Sequence, residues 1–206
     1  VFEMTPLGRV AGQWFGRTVI NSDYRFDYDG AQKVIEAGAA GVHEGVSEEI
    51  KDAVLVLHNL ASKLRKKRFA SGAISFERPE MKVVVDEKGR PVDVYQKISK
   101  EANWLIEEFM LLANRSVAEF VATGCKGVGD EPVKGRRQAK TFVYRVHDEP
   151  NQEKVANLRN FIGNFGYKMG PTTSGKEISK ELNNLFAAAK DTPEYNAIEL
   201  LSLRTM

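Results

Sequence analysis

The run WLIEEFMLLANR, residues 104–115, decides how this chain is read. It is apolar enough for a core helix, yet it carries two adjacent glutamates and an asparagine. Stepped at about 100° per residue, Leu105, Phe109, Leu112, Ala113 and Phe120 share one side, the predicted buried stripe. Glu101, Glu108, Arg115 and Glu119 share another, read as solvated, with Arg115 and Glu119 placed to pair. Asn103, Glu107 and Asn114 fall on a third side, beside Met110, Ala118 and Val121. A carboxylate there must be hydrogen-bonded or face an opening, because burying it unpaired is costly. Periodicity leaves two readings open: a structural network, or a polar strip lining a groove.

Around this helix the chain alternates strand and helix signals. Ser99 is the predicted cap, and the helix is expected to run to about residue 122. Before it, AISF (73–76), KVVVD (82–86) and PVDVYQ (91–96) read as strands of a half-exposed sheet. The turn EKGR joins the last two, with Gly89 where the backbone needs positive φ. Ser47 is expected to cap an earlier helix with the stripe Ile50, Ala53, Val54, Leu57, Leu60, Ala61 and Leu64. That helix ends in the basic run KLRKKRF (63–69). Further upstream, residues 1–4 and 13–20 (QWFGRTVI) read as strands joined by TPLGR. Asp29 reads as the cap of a short helix over 29–37 that runs into the glycine-rich AGAAG.

Downstream, a Gly/Lys/Arg loop over 124–140 leads to TFVYRVH (141–147), a clear strand pattern. A helix begins near Pro150, with Val155, Leu158, Phe161, Ile162 and Phe165 as its stripe and Gly166 as its stop. Ser174 and Glu177 form a capping box for residues 175–189. Thr192 and Pro193 open the last helix, whose apolar residues are Ile198, Leu200, Leu201 and Leu203. The fold class is α+β, antiparallel β segments packed with several α-helices, in one partial domain over residues 1–206.

Composition narrows the function less than it narrows the fold. The 206 residues carry 30 Lys+Arg against 28 Asp+Glu, so a net charge of +2 names no partner. The single cysteine, Cys125, cannot close an internal disulfide and suits a reducing, cytoplasmic setting. No apolar run reaches the roughly 18 residues a membrane helix needs. Strand pattern is already under way at Val1, and helix pattern runs up to Met206 without Gly or Pro, so both ends read as cut from a longer protein.

Residues 15–29, FGRTVINSDYRFDYD, hold the densest cluster of functional types. Asp23, Asp27 and Asp29 are close in sequence but interleaved with large side chains, which favours turn and cap roles over a metal site. Arg17, Arg25 and Tyr28 together suit phosphate contact and base stacking, a weak signal because Arg also packs on aromatics in ordinary interiors. The basic runs KLRKKRF and KGRRQAK suit phosphate equally well and solvated surface better. His43, His58 and His147 have no metal-ligand spacing, and no Walker, GxSxG, GxGxxG or HExxH motif occurs.

Five stretches in order carry a resemblance: FGRTVINSDYRFDY (15–28), SGAISFERPEMKVVVDEKGRPVDV (71–94), ANWLIEEFMLLANRSVAEFV (102–121), FVYRVHDEP (142–150) and LLSLRTM (200–206). Together they resemble the ribonuclease II family, most of all its ribonuclease R branch, over nearly the whole chain. The resemblance implies the middle of the catalytic domain of a processive 3′→5′ exoribonuclease. In that family single-stranded RNA threads a narrow channel, an aspartate cluster holds a divalent metal, usually magnesium, and water releases nucleoside 5′-monophosphates. By the same comparison the aspartate cluster belongs before Val1, and the arginine motif that grips the scissile phosphate belongs after Met206. No catalytic residue and no bound metal is therefore expected here, and the segment alone is expected to be inactive. The loop at 124–140 departs from the family in being longer.

The resemblance also implies an RNA-binding set. Arg17, Ser22, Arg25 and Tyr28 match a motif the family keeps after its early strands, and Phe15 falls near an aromatic that stacks on bases. Glu107 and Asn114 match the family's IEE-M-AN helix, which runs near the RNA path. The competing expectation is a non-catalytic RNA-binding or assembly module with the same fold.

Overall fold

The computed structural model describes residues 1–39, 41, 45–76, 80–123, 141–146, 149–170 and 174–205. The loop at 124–140 with Cys125, together with His43 and His147, lies outside them. The described elements are β1 (Phe2–Met4), β2 (Val10–Gln13), α1 (Tyr28–Ala37), α2 (Glu48–Ala70), β3 (Glu80–Val85), β4 (Pro91–Lys97), α3 (Glu101–Ala122), α4 (Gln152–Gly163), α5 (Gly175–Ala189) and α6 (Tyr195–Thr205). The class is α+β, with two separate antiparallel strand pairs. They fall into two compact units, one of Val1–Lys66 with Pro79–Tyr144, the other of Lys67–Arg78 with Arg145–Met206.

In the first unit, β1 and β2 form a hairpin with Phe2 opposite Gln13. The Thr5 N–H donates to Arg9 O at 2.8 Å, and Gly8 takes the turn's positive φ of 70°. The second strand is thus VAGQ, not QWFGRTVI. The ladder closes where the Trp14 N–H donates to Val1 O, and residues 14–20 have no partner strand among the described residues. The β3–β4 hairpin has the predicted turn: Asp86 Oδ1 accepts from the N–H groups of Lys88 and Arg90, both at 2.8 Å, and Gly89 has φ 76°. Its faces differ from expectation, since Met81, Val83, Val85, Val92, Val94 and Tyr95 are all exposed.

Helix starts are set by which side chain reaches the third N–H. Asp27, not Asp29, caps α1, because its Oδ1 accepts from Gly30 N at 2.6 Å. Lys100, not Ser99, is the N-cap of α3, where Asn103 Oδ1 accepts the Lys100 N–H at 3.0 Å. Ser47 does serve α2, accepting from Ile50 N at 3.4 Å. Within α2, Ala61 is buried and Ile50, Val54, Leu60 and Leu64 are half-buried, but Ala53 and Leu57 are exposed. The α2 start is stapled by Lys51, buried, whose Nζ donates to Ala39 O, Gly41 O and Glu48 Oε2.

Helix α1 packs on α3 through the buried amide of Gln32. Its Oε1 accepts from Ala102 N at 3.0 Å, and its Nε2 donates to Glu101 Oε2 at 2.8 Å and Glu36 Oε1 at 3.0 Å. One neutral side chain therefore satisfies a first-turn N–H of a helix whose N-cap side chain does not.

The second unit is held by a conventional apolar core. Val155, Leu158 and Ile162 of α4 meet Ile178, Leu182, Leu185, Phe186 and Ala189 of α5, Ile198 of α6, and Met169. The capping box at Ser174 and Glu177 forms as the sequence predicts. Helix α4 starts near Pro150 as expected, with Asn151 as its cap, accepting from Lys154 N at 3.0 Å. In α6 the expected Leu200 and Leu203 are exposed, and Ser202 and Thr205 lie inside. Their hydroxyls donate to the helix's own carbonyls at 2.7 Å, so burial strands neither hydroxyl.

Two predicted strands are absent from the described ladders. AISF runs along α5, where Asn183 Oδ1 accepts from Ser75 N at 3.1 Å and Asn183 Nδ2 donates to Ala73 O at 2.8 Å. A side-chain amide thus takes the place of a partner strand. Residues 141–146 of TFVYRVH are exposed and join no strand among the described residues.

Truncating this core should be costly in proportion to burial. Ile178→Ala or Leu182→Ala is expected to lower unfolding stability by about 2–5 kcal/mol, and Leu200→Ala by less than about 1 kcal/mol, by urea titration followed by circular dichroism.

Candidate functional site

The structure sorts the polar residues of the opening helix differently from a wheel. The outward side of α3 carries Ile106, Glu107, Met110, Leu111 and Asn114, all exposed. Glu107 and Asn114 therefore sit on an open face, mixed polar and apolar. Glu108, expected in solvent, is 3% exposed. It lies about 40° outside the edge of the buried stripe on the wheel, and a neighbouring helix turns that border into interior.

The neighbour is α2, and the contact is Arg65. Its guanidinium carbon lies 4.4 Å from the centre of the Trp104 ring. Its Nη1 stands 3.6 Å from Glu107 Oε2 and 3.7 Å from Glu108 Oε1. Trp104 and Glu108 are four residues apart, so one face of α3 presents ring and carboxylate together. A planar cation is the side chain that stacks on one and pairs with the other. Sequence reasoning missed this cluster, although Arg65 follows buried Ala61 at helical spacing and so sits on the inner side of α2.

Arg65 also changes the reading of the basic run. Lys63 Nζ donates to Pro6 O at 2.7 Å, and Arg68 lies over the Phe69 ring at 5.0 Å. Three of the run's five cations thus have structural contacts, while Lys66 and Lys67 are exposed.

The other sequence-derived candidates lie between β2 and α1. Phe15 is half-buried, edge-on to Phe2 at 6.1 Å and tilted on Phe120 of α3 at 4.7 Å. Its ring ties this segment to α3. Arg17, Ser22, Arg25 and Tyr28 are exposed. Arg25 lines an open cleft of about 420 Å³ with Tyr24, Phe26, Asp27 and Gly30, and the Tyr24 and Phe26 rings stack at 4.5 Å. The structure thus joins Phe15 to the helix that carries Glu107 and Asn114, and sets Arg25 beside aromatic rings.

The aspartates do not make a metal centre. Asp23 accepts from the Asn21 amide at 2.6 Å, and Asp27 is committed to the α1 cap. Among the described residues no group of three or more His, Cys, Asp or Glu is placed to hold a metal ion. A divalent cation therefore does not fit these side chains. Among the same residues no helix is long and apolar enough to cross a membrane.

The model of the RNB domain matches residues 1–206. The chain belongs to the RNB family. It is 31% identical to DIS3-like exonuclease 2 of Xenopus tropicalis over 96% of this chain and 23% of the relative. It is 29% identical to the inactive exonuclease DIS3L2 of Arabidopsis thaliana over 93% of this chain and 18% of that protein. Among solved structures, RNase R of Mycoplasma genitalium in complex with ribose-methylated single-stranded RNA superimposes with a TM-score of 0.79 at 25% identity, covering 99% of this chain and 29% of that one. This RNB segment thus spans under a third of the proteins it matches.

Within the segment, one titration reports on the α1–α3 contact. A backbone N–H bond and then the Gln32 amide hold the Glu101 carboxyl below its ordinary value of 4.5, with burial opposing them. A lowered value means that ionised Glu101 stabilises the fold above pH 4.5, and the gain is lost as pH falls through the folded value. Glu101→Gln should lower the melting temperature at pH 7 and flatten its decline below pH 4.5, by thermal unfolding across pH.

Proposed function

We propose that this chain is the RNA-lining part of the catalytic domain of a processive 3′→5′ exoribonuclease, which hydrolyses single-stranded RNA to nucleoside 5′-monophosphates. The observation that carries the reading is the RNB match over residues 1–206 together with the open face of α3. That face combines what a single-strand path requires: Ile106, Met110 and Leu111 offer apolar contact to bases, and Glu107 and Asn114 offer hydrogen-bonding groups. Phe15, Arg17, Arg25 and Tyr28 belong to the same RNA contact in this reading. Arginines would meet phosphates, and Tyr28 would meet a base or sugar.

Magnesium belongs to the whole enzyme in this reading and is held by side chains other than those described. This segment would shape and position RNA rather than activate water. The working place is the cytoplasm, on the strength of a single cysteine.

A non-catalytic RNA-binding module is the second reading. It is favoured by the similarity to a relative named as inactive, which matches over 93% of this chain at 29% identity.

The whole protein, incubated with magnesium and 5′-labelled single-stranded RNA, is expected to shorten the label stepwise and release monophosphates. The 206-residue chain alone should release none. RNA binding without shortening by the whole protein would select the second reading. Release of monophosphates by the isolated chain would refute the assignment of metal chemistry elsewhere.

A further inference from the structure

We propose that Arg65 is a positioning residue that fixes the Glu107 carboxylate on the open face of α3, with Glu108 as its buried anchor and Trp104 as its platform. The assignment rests on the reading of Glu107 as an RNA contact. Adjacent helix positions point about 100° apart, so a cation that meets both carboxylates must lie in the angle between them. Arg65 does so, at 3.6 Å from one and 3.7 Å from the other. The two carboxylates differ in surroundings: the Glu108 side chain is 3% exposed and that of Glu107 is 44% exposed. Arg65 is therefore held from the inside and acts toward the outside.

The stack on Trp104 fixes the plane of the guanidinium, and with it the direction in which Nη1 faces the two carboxylates. An ammonium at the same place would keep the charge and lose both constraints. Such fixing matters for a carboxylate beside a polyanion. Held at one place, it accepts hydrogen bonds from hydroxyl or amino groups. Swinging freely, it repels phosphate. Arg65 thus converts Glu107 from a general repulsion into a located acceptor.

The test is a double-mutant cycle on single-stranded RNA hydrolysis in the whole protein, using Arg65→Lys, Glu107→Gln and the pair, with thermal unfolding of each. Arg65→Lys should lower kcat about tenfold with a smaller change in KM, the loss expected from a misplaced group. In the Glu107→Gln background the same change should cost no further kcat, while it still lowers the melting temperature through Glu108. A kcat loss of equal size in both backgrounds makes Arg65 merely structural and overturns the proposal, as does normal kcat in Arg65→Lys. Normal kinetics in Glu107→Gln overturn it on a separate arm, by removing Glu107 from the RNA contact. Should Arg65→Lys not fold, Trp104→Phe, which keeps a smaller ring under the guanidinium, carries the same comparison.

Discussion

A carboxylate withdrawn from water must be met by a cation, and in the first unit that demand fixes α2 against α3. Glu108 is 3% exposed, and Arg65 reaches it while stacked on Trp104. Separating the helices there would leave a charge in a poorly solvated place, which costs far more than the pair itself contributes. The contact is therefore weak as a source of stability and strong as a constraint on geometry. It dictates which side of α3 faces inward, and so which residues are left outward: Ile106, Glu107, Met110, Leu111 and Asn114.

The two units solve the problem of cohesion differently. The second buries a contiguous set of aliphatic and aromatic side chains from α4, α5 and α6. Among the described residues, the first buries Gln32, Lys51, Glu108 and Ser116 alongside a few small or branched apolar residues, Val34, Ala61 and Ala102. Apolar packing tolerates small shifts, because dispersion is summed over many contacts. A buried amide or ammonium tolerates little, because each hydrogen bond has a narrow range of distance and angle. The polar interior therefore fixes geometry within the first unit more narrowly than apolar packing does within the second.

What could be read from sequence follows from the same division. The capping box at Ser174 and Glu177, the Val155, Leu158 and Ile162 part of the α4 stripe and the Gly89 turn were legible because each is a local pattern with a local cause. Glu108 was misread because its burial depends on an arginine more than forty positions away, which no helical wheel contains. AISF was misread for a related reason. Its extended pattern is real, but its partner is the Asn183 side chain and not a strand. Asp29 lost its cap role to Asp27, whose carboxylate is the one that reaches Gly30 N. Of the candidate contacts, Arg17, Arg25, Tyr28, Glu107 and Asn114 are exposed, whereas the half-burial of Phe15 against Phe2 and Phe120 was invisible in the sequence.

These ties share a geometry that bears on how the open face works. At its N-terminal end α3 is held by the Gln32 amide on Ala102 and Glu101, midway by Arg65, and near its C-terminal end by Phe15 on Phe120. The three contacts use different chemistry, and all come from elements that precede α3 in the chain. Together they restrain rotation about the helix axis, the one motion that would change which residues face outward. A long helix pinned at several points presents its outer residues in fixed register at about 1.5 Å per residue. If the outer strip of α3 binds RNA as proposed, it is organised before its ligand arrives, and little of the binding energy goes into ordering it. On the proposed reading, Glu107 would be tolerable next to RNA for the same reason: Arg65, on the inner side of the helix, faces its carboxylate at 3.6 Å.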